Sequence, residues 1–260
     1  IVRATPIRNR NELSRYVAHR RIILEMLRTI LSVDSSVGGK KVDEASFHNL
    51  FFRKGTADPA CGELWVFNEE YIYFSGLSDV RLKDAMYDNK PLFCDEFLTK
   101  KQEIDEKYFH DNSLKKPDIL LLPSEGKCII IEFKAPDVEV SKHLDQITDY
   151  AGLIREYARD GIEIRQFYGY LIGENINNED IRRKQPAFQE AVSMGYLFRP
   201  YLPVLTFKRR KNDYGSLYTE IISYSALLLR AQARNQIFME KLGIKGDNYD
   251  SLPEPPILDK

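Results

Sequence analysis

The chain has 260 residues, and its 38 Lys and Arg against 39 Asp and Glu give a formal net charge of −1. This balance excludes a generally basic protein that coats nucleic acid and a polybasic membrane binder. Hydrophobic residues make up 43% and aromatic residues 12% of the chain, which excludes a disordered protein and allows one sizeable core.

Two amphipathic helices are predicted near the N-terminus. Residues 11–31 have helical periodicity, and a second helix over residues 43–52 follows a polar loop, with Asp43 as its N-cap. The apolar face predicted for the first helix contains Leu13, Tyr16, Ile22, Ile23, Met26, Leu27 and Ile30. The arginines predicted on the rest of that helix are Arg15, Arg20, Arg21 and Arg28.

Four apolar segments predict strands in the first half of the chain. Residues 64–67 and 71–74 are rich in strand-forming side chains and are separated by Asn-Glu-Glu, as in a hairpin. Residues 117–122 and 128–134 are near-continuous apolar runs linked by a Ser-Glu-Gly turn, which is typical of strands in the buried middle of a sheet. The polar stretch over residues 99–116 is expected to be an exposed excursion.

The second half of the chain predicts further helices and strands, so the expected fold is α/β. The predicted elements are a helix over residues 141–157, strands over 166–172, 202–207 and 218–223, and a helix over 224–242 closed by Gly243. We divide the chain into an N-terminal helical arm (1–38), one domain (39–245) and a flexible, proline-containing tail (246–260).

The sequence also predicts where the protein is found. Its longest apolar runs are far shorter than the ~20 residues that a membrane-spanning helix needs. The first residues, IVRA, include neither an initiator Met nor the start of a secretory signal, so we expect a piece of a longer protein. Cys61, Cys94 and Cys128 are widely spaced and argue against a disulfide framework or a zinc site. We therefore expect a soluble, cytoplasmic protein.

Three charged residues lie at the ends of the two buried strands. Asp118 begins the first strand, and Glu132 and Lys134 end the second. Because the start of one strand of an antiparallel hairpin lies beside the end of the other, the three side chains should converge, with Phe133 on the opposite face. Paired carboxylates are the ligands of a divalent metal, Mg²⁺ above all, and a neighbouring lysine can orient an attacking water. The alternative is that these are ordinary strand-end charges, which an isolated Glu-x-Lys favours.

The whole pattern resembles the PD-(D/E)XK nuclease superfamily. It consists of Pro117-Asp118, then Glu132-Phe133-Lys134, then a helix with Gln146 and Tyr150, and the Gln-x-x-x-Tyr pair resembles the RecB-like branch. The resemblance implies a restriction-endonuclease-like mixed sheet flanked by helices, in the order helix, three strands, helix, strand, here with an added N-terminal and C-terminal helix. It also implies cleavage of phosphodiester bonds with Mg²⁺, or Mn²⁺ as a substitute, with Gln146 and Tyr150 lining the site. Tyr150 alone is equally compatible with a core position.

The superfamily usually adds an acidic metal ligand from the first core helix. Glu44 is the best match, and His48 lies one helical turn later. The resemblance leaves open which of the two completes the metal site. The alternative is that Glu44 is a first-turn helix charge and His48 a buried polar group.

A closer resemblance covers nearly the whole chain. It is similar to the nuclease region at the C-terminus of prokaryotic proteins that carry a GHKL (Hsp90-like) ATPase module upstream. The motifs that carry it are His48-Asn49-Leu50, Gly62-Glu63-Leu64-Trp65-Val66, Lys90-Pro91-Leu92, Glu132-Phe133-Lys134-x-Pro136, the N-terminal Leu-Ser-Arg-Tyr-Val helix and the segment from Arg234 to Ile244. Phe133 and Ala135 replace the more usual Leu and Arg, neither of which the chemistry needs. The resemblance implies a DNA endonuclease that acts in defence against phage, with an upstream ATPase domain or partner.

A nuclease of neutral net charge must hold phosphates with local basic patches. The candidates for contacts with nucleic acid are Lys116, His48, Arg182, Arg183, Lys208 and Arg209. Ordinary solvated surface charge is the alternative for the last four. No base-reading motif is evident, so weak sequence preference is expected.

Three alternatives stay open at this point. The same residues would serve an RNA-cleaving effector, and the fold could also serve a catalytically gated or inactive module that binds nucleic acid. The N-terminal and C-terminal helices either pack together outside the sheet or form the surface of a symmetric dimer that cuts both strands of a duplex.

Overall fold

The structure is a computed structural model, which describes most of the chain. The described residues are 7–32, 42–56, 62–95, 97, 115–123, 125–206 and 214–242. The basic pair Lys208 and Arg209, most of the stretch 99–116, the tail 246–260 and the boundary between residues 38 and 39 lie outside them.

A seven-stranded mixed sheet forms the centre of the molecule. Its strands are β1 (Gly76–Ser78), β4 (Ile119–Leu121), β5 (Lys127–Phe133), β6 (Gln166–Ile172), β7 (Gln189–Ala191), β8 (Tyr196–Val204) and β9 (Gly215–Ile222), and β2 (Met86–Tyr87) and β3 (Lys90–Pro91) form a separate small hairpin. The order in the sheet is β1-β4-β5-β6-β9-β8-β7. The β5–β6 and β6–β9 pairs are parallel and the other pairs are antiparallel.

Helices cover both faces of the sheet. They are α1 (Ile7–Ser32), α2 (Glu44–Phe51), α3 (Gln146–Tyr157), α4 (Asn178–Lys184) and α5 (Tyr224–Leu242). The alternation of side chains along β5 explains the two layers, because Cys128 and Ile130 enter a core with α3 and α4, whereas Ile131 and Phe133 enter a second core with α1, α2 and α5. The predicted α/β fold, a mixed sheet flanked by helices with an added helix at each end, is confirmed.

Several predicted elements are confirmed closely. β6 covers the predicted residues, and α5 covers the predicted C-terminal helix. Asp43 caps α2, and its side chain accepts the Ser46 N–H at 2.9 Å. Helices α1 and α5 pack against each other outside the sheet, which is one of the two arrangements predicted for them.

The predicted hairpin over residues 64–67 and 71–74 is wrong. Leu64–Val66 and Glu69–Tyr73 are 3₁₀ helices, and Asn68 caps the second, its side chain accepting the Glu70 N–H at 3.1 Å. The guanidinium of Arg234 on α5 donates to the backbone carbonyls of Trp65, Val66 and Phe67. Carbonyls at the end of a short helix have no partner within the helix, and Arg234 supplies one. The first strand of the sheet is instead the short β1.

The inward face predicted for α1 is also partly wrong. Arg20 is only 1% exposed, whereas Ile22 and Met26 are 57% and 49% exposed. The Arg20 guanidinium lies 4.4 Å from the Trp65 ring centroid and donates to Glu69 Oε1 at 2.9 Å, so the arginine is both stacked and paired. A hydrophobicity pattern counts arginine as outward-facing and cannot anticipate this contact.

Smaller differences concern the ends of elements. Helix α3 begins at Gln146, because Val140–Lys142 forms a separate 3₁₀ turn. Strands β8 and β9 begin several residues earlier than predicted, and α4 was not predicted. None of the helices in the described part of the chain has the length and apolar character needed to cross a bilayer.

Candidate active site

The hairpin of β4 and β5 brings two carboxylates together at the edge of the sheet. Ile119 pairs with Ile131, so Asp118 lies directly across from Glu132. The Asp118 backbone N–H donates to Glu132 Oε1 at 3.2 Å, and the Phe133 N–H donates to Asp118 Oδ2 at 2.7 Å. Each carboxylate is thus held by the backbone beside the other, and the predicted convergence is confirmed.

Lys134 completes this group. Its Nζ lies 3.3 Å from Glu132 Oε2, and the two side chains are 9% and 2% exposed. Its backbone is fixed on both sides, because its N–H donates to the Ile172 carbonyl at 2.7 Å and its carbonyl accepts the Tyr224 hydroxyl at 3.0 Å. The backbone that carries the ammonium group is therefore fixed.

Helix α3 contributes polar side chains next to Glu132. Gln146 Nε2 donates to Glu132 Oε2 at 2.7 Å and lies 3.4 Å from the Tyr150 hydroxyl. That hydroxyl donates to the carbonyl of Lys116 at 3.0 Å. Gln146 therefore contacts a predicted metal ligand directly, whereas the buried Tyr150 orients the chain that leads into Asp118.

Burial raises the pKa of both carboxyl groups, and a neighbouring negative charge adds to each rise. The pKa of Glu132 is raised from 4.5 to about 8, first by burial and then by the Asp118 charge. The pKa of Asp118 is raised from 3.8 to about 6, mainly by burial, and the Glu44 charge adds to the rise. Such a pair favours either a retained proton or a cation between the two groups.

His48 on α2 presents an unpaired nitrogen to Asp118. The Ser78 hydroxyl donates to the Phe52 carbonyl at 3.2 Å and lies 2.8 Å from His48 Nε2. In the tautomer that this arrangement favours, the hydroxyl uses its one proton there, and Nε2 carries a hydrogen and donates to Ser78. Nδ1 of the neutral ring then has a free lone pair; it is buried without a hydrogen-bond partner and lies 3.5 Å from Asp118 Oδ1.

The neutral state of His48 follows from its surroundings. Burial lowers its pKa from 6.5 to about 4, with the Lys54 charge as the next cause. Because this lone pair on Nδ1 faces an oxygen of Asp118, both atoms are suited to bind the same cation. His48 Nδ1 thus lies near Asp118, whereas Glu44, half-buried one turn earlier on α2, acts on Asp118 through its charge.

The donor set fits a hard divalent cation. In the part of the chain that the structure describes, no three His, Cys, Asp or Glu side chains form a ready-made metal-binding group. Mg²⁺ does not require one, since it is commonly bound through one or two carboxylates and keeps water or substrate phosphate on its other positions. Asp118 and Glu132, buried and with raised pKa values, meet that requirement.

The predicted basic contacts lie in two places. Lys116 is next to the carboxylate pair in sequence, and its Nζ is 3.6 Å from Asp79 Oδ2. Arg182 and Arg183 lie on α4, where they pair with Glu190 and Asp180. The structure therefore brings His48 to Asp118, whereas Lys116 pairs with Asp79 and the two arginines form ion pairs on a separate helix.

Sequence reasoning missed Ser78, Tyr224 and Lys54. Ser78 fixes the His48 tautomer, Tyr224 holds the Lys134 carbonyl, and the Lys54 charge acts on both His48 and Asp118. None of the three belongs to a motif, and each reaches the site through the tertiary fold. Only the position of Tyr224 at the start of a helix after a buried strand could have drawn attention to it.

Chemically, the site can hold a hard cation on two carboxylates and place an ammonium group beside it. It lies where the layers of α2 and α3 meet at the edge of the sheet. Comparisons with protein-family models, with curated proteins and with solved structures found no match.

Proposed function

We propose that the chain is a metal-dependent endonuclease that hydrolyses phosphodiester bonds of DNA. The observation that carries the proposal is the buried group of Asp118, Glu132 and Lys134, in which the Asp118 N–H donates to Glu132 Oε1 and Lys134 Nζ lies 3.3 Å from Glu132 Oε2. A purely structural ion pair would need only Lys134 and Glu132. The second buried carboxylate, with its raised pKa, instead fits a binding site for a cation.

Each residue has a role in this proposal. Asp118 and Glu132 would hold Mg²⁺, or Mn²⁺ in its place, with His48 Nδ1 beside them. When bound, the ion would supply Lewis acidity and a water of lowered pKa. Gln146 fixes Glu132 Oε2 by donating to it, so this oxygen keeps its orientation.

Lys134 would act on the attacking water and on developing negative charge. One of its three N–H groups is directed to Glu132, which leaves donors for a water or a phosphate oxygen. A fixed ammonium group stabilises charge that develops in the transition state without reorganising. The contact with Glu132 holds the ammonium group, and the contacts to Ile172 and Tyr224 hold the backbone that carries it.

Duplex DNA is the proposed substrate, with weak sequence preference. We further propose that two copies cooperate when both strands are cut, and that an upstream ATPase domain or partner controls the activity in defence against phage. These proposals rest on the resemblance of the motifs and on the neutral net charge, which makes local contacts necessary.

The deciding experiment is a cleavage assay on supercoiled plasmid, linear duplex, single-stranded DNA and RNA, with Mg²⁺, Mn²⁺ or chelator. We expect cutting that needs metal and falls on the order of 10²–10³-fold in Lys134→Ala. Lys142→Ala, which removes an amine that is 68% exposed, should cut normally. Cutting that survives in Lys134→Ala would overturn the proposal, and preferential cutting of RNA would redirect it to an RNA-cleaving effector.

Metal binding separates the roles of Lys134 and Asp118. By calorimetry with Mn²⁺, Lys134→Ala should keep nearly the affinity of the unsubstituted protein, whereas Asp118→Asn should lose it. Equal loss in both variants would remove Lys134 from its proposed role. Metal binding without any cutting would favour a gated effector that needs its upstream partner.

A further inference from the structure

We propose that Lys54 binds a backbone phosphate of the nucleic acid beside the candidate active site. The inference rests on the proposed function and adds a contact on the α2 side of the site. Lys54 lies in the turn between α2 and the segment that precedes Gly62.

The turn that carries Lys54 is anchored at several points. Asn49 Oδ1 accepts the Lys54 N–H at 3.1 Å, and the Gly55 N–H donates to the Ser78 carbonyl at 3.0 Å. Gly55 has φ +75°, a conformation that glycine adopts without strain. Thr56 returns the chain to β1, because its carbonyl accepts the Ser78 N–H at 3.2 Å.

The same strand leads directly to the catalytic group. The Ser78 side chain bonds His48, and the next residue, Asp79, donates its N–H to the Asp118 carbonyl at 2.9 Å. The Lys54 turn and the Asp118 strand therefore lie on either side of β1, which fixes the distance between them.

Lys54 differs from the two other lysines at this edge. Lys134 pairs with Glu132 at 3.3 Å, and Lys116 approaches Asp79 at 3.6 Å. Lys54 is half-buried, and no carboxylate of the described residues forms an ion pair with it. A half-buried lysine without a carboxylate partner among the described residues is suited to an anionic ligand.

Its charge reaches the residues of the site. After burial, Lys54 is the next cause of the lowered pKa of His48. The pKa of Asp118, which burial raises, is also lowered in part by Lys134 and Lys54. The two lysines thus act on Asp118 together, and a phosphate held by Lys54 would belong to the same stretch of backbone as the bond that the water beside Lys134 would attack.

The position defines a path for the substrate. Helix α2 covers the face of the sheet opposite α3, where Gln146 contacts Glu132. Contacts from Lys54 on one side and the α3 residues on the other direct the backbone across the sheet edge between the two helices. The contact is sequence-independent, as a phosphate contact must be.

The test measures binding rather than cutting. A fluorescein-labelled duplex oligonucleotide is titrated in chelator over a series of salt concentrations, using the unsubstituted protein, Lys54→Gln, Lys54→Arg and the neighbouring Arg53→Ala. Loss of one phosphate contact should reduce the slope of log affinity against log salt by about 0.9 in Lys54→Gln. Lys54→Arg should restore the slope, and Arg53→Ala, on the exposed side of the turn, should reduce it less.

The outcomes distinguish the two proposals. An unchanged slope in Lys54→Gln, or an equal change in Arg53→Ala, overturns the role of Lys54 and leaves the nuclease proposal intact. A reduced slope in a protein that binds metal but cuts nothing still supports Lys54, because the slope reports binding alone, and it agrees with a gated effector that needs its upstream partner. Absence of binding by the unsubstituted protein overturns both. Thermal unfolding of each variant confirms that the compared proteins are folded.

Discussion

At the scale of single residues, the site balances burial against charge. Asp118 and Glu132 are placed together at 7% and 2% exposure, where two negative charges repel strongly. Four donors partly offset this cost: the Asp118 N–H, the Phe133 N–H, Lys134 Nζ and Gln146 Nε2. The part of this cost that the donors do not offset appears as the raised pKa values of both groups. A bound divalent cation would remove it.

The raised pKa of Glu132 predicts how the free energy of unfolding depends on pH in the absence of metal. The folded protein keeps the Glu132 proton up to a pKa of about 8, whereas the unfolded chain loses it near 4.5. Folding therefore binds a proton, and the free energy of unfolding falls as pH rises towards 8. His48, whose pKa is lowered from 6.5 to about 4, acts in the opposite direction but only below about 6.5.

The clear window is therefore pH 6.5 to 8, measured by denaturant unfolding in chelator. We expect stability to fall across it, and Glu132→Gln to remove that fall. Glu179→Gln, at an exposed position on α4, should keep it. Stability that rises across this window in the unsubstituted protein would contradict the assignment of Glu132.

A substitution of Tyr224 tests whether the fixed backbone of Lys134 contributes to cleavage. Tyr224→Phe removes the hydroxyl that donates to the Lys134 carbonyl but keeps the ring stacked 3.8 Å from Phe47. We expect the free energy of unfolding to fall by about 0.5–1.5 kcal/mol and kcat to fall with KM unchanged, because only the orientation of Lys134 loosens. Steady-state cleavage kinetics measure the split.

The matched control removes another buried hydroxyl. Tyr71→Phe breaks the Tyr71–Tyr170 hydrogen bond of 2.7 Å, in which Lys134 takes no part. It should lower stability by a similar amount and leave kcat unchanged. A fall in kcat of equal size in both variants would mean that Tyr224 acts only through global stability.

At the scale of elements, the secondary structure of a segment could be predicted where burial alone determines its pattern of apolar residues. β5 and β6 are buried on both faces, so their apolar runs in 128–133 and 166–172 identify them without tertiary information. The aromatic-rich segment 64–74 carries the same residue types but is folded into 3₁₀ turns by Asn68 and Arg234. β1 is too short for any pattern.

Helix α3 must lie close to the sheet for Gln146 to reach Glu132, and Gly169 makes that approach feasible. A Cβ at position 169 on β6 would overlap Cγ2 of Ile147 and lie 3.3 Å from its Cδ1. Gly169→Ala should therefore push α3 outward and lower the free energy of unfolding by about 1–3 kcal/mol. The same displacement should weaken cleavage through Gln146.

Gly152 provides the control within α3 itself. A Cβ there meets nothing within 4 Å, so Gly152→Ala should stabilise the protein by up to about 1 kcal/mol through helix propensity. Denaturant unfolding of the two variants gives the comparison. Equal effects of the same sign would show that α3 does not approach β6 as closely as the structure indicates.

At the scale of the whole molecule, the site was predictable only in part. The register of one hairpin sufficed for Asp118, Glu132 and Lys134, because the residues that link them are adjacent in the chain. His48 and Ser78 come from two separate elements, and their contact depends on how α2 packs on β1. Sequence patterns describe local periodicity, so long-range contacts of single polar side chains remain beyond them.

The two cores share one sheet, and this predicts a single unfolding transition. Phe133 and Ile131 on one side of β5 and Ile130 on the other belong to opposite cores, so neither core can open without disturbing the same strand. Helix α1 is tied into this unit through Arg20, which is stacked on Trp65 and bonded to Glu69.

Arg20→Ala should accordingly destabilise the whole molecule rather than release α1 alone. Removing this buried side chain leaves a cavity against Trp65 and should cost about 2–5 kcal/mol, whereas Arg15→Ala at an exposed position of α1 should change stability by less than about 0.5 kcal/mol. Calorimetry should show one transition in both variants, shifted downward in Arg20→Ala. A separate early transition in Arg20→Ala would mean that α1 is an independent appendage of the sheet, as in the division of the chain at residue 38, because only a helix that contributes to the shared core must unfold together with it.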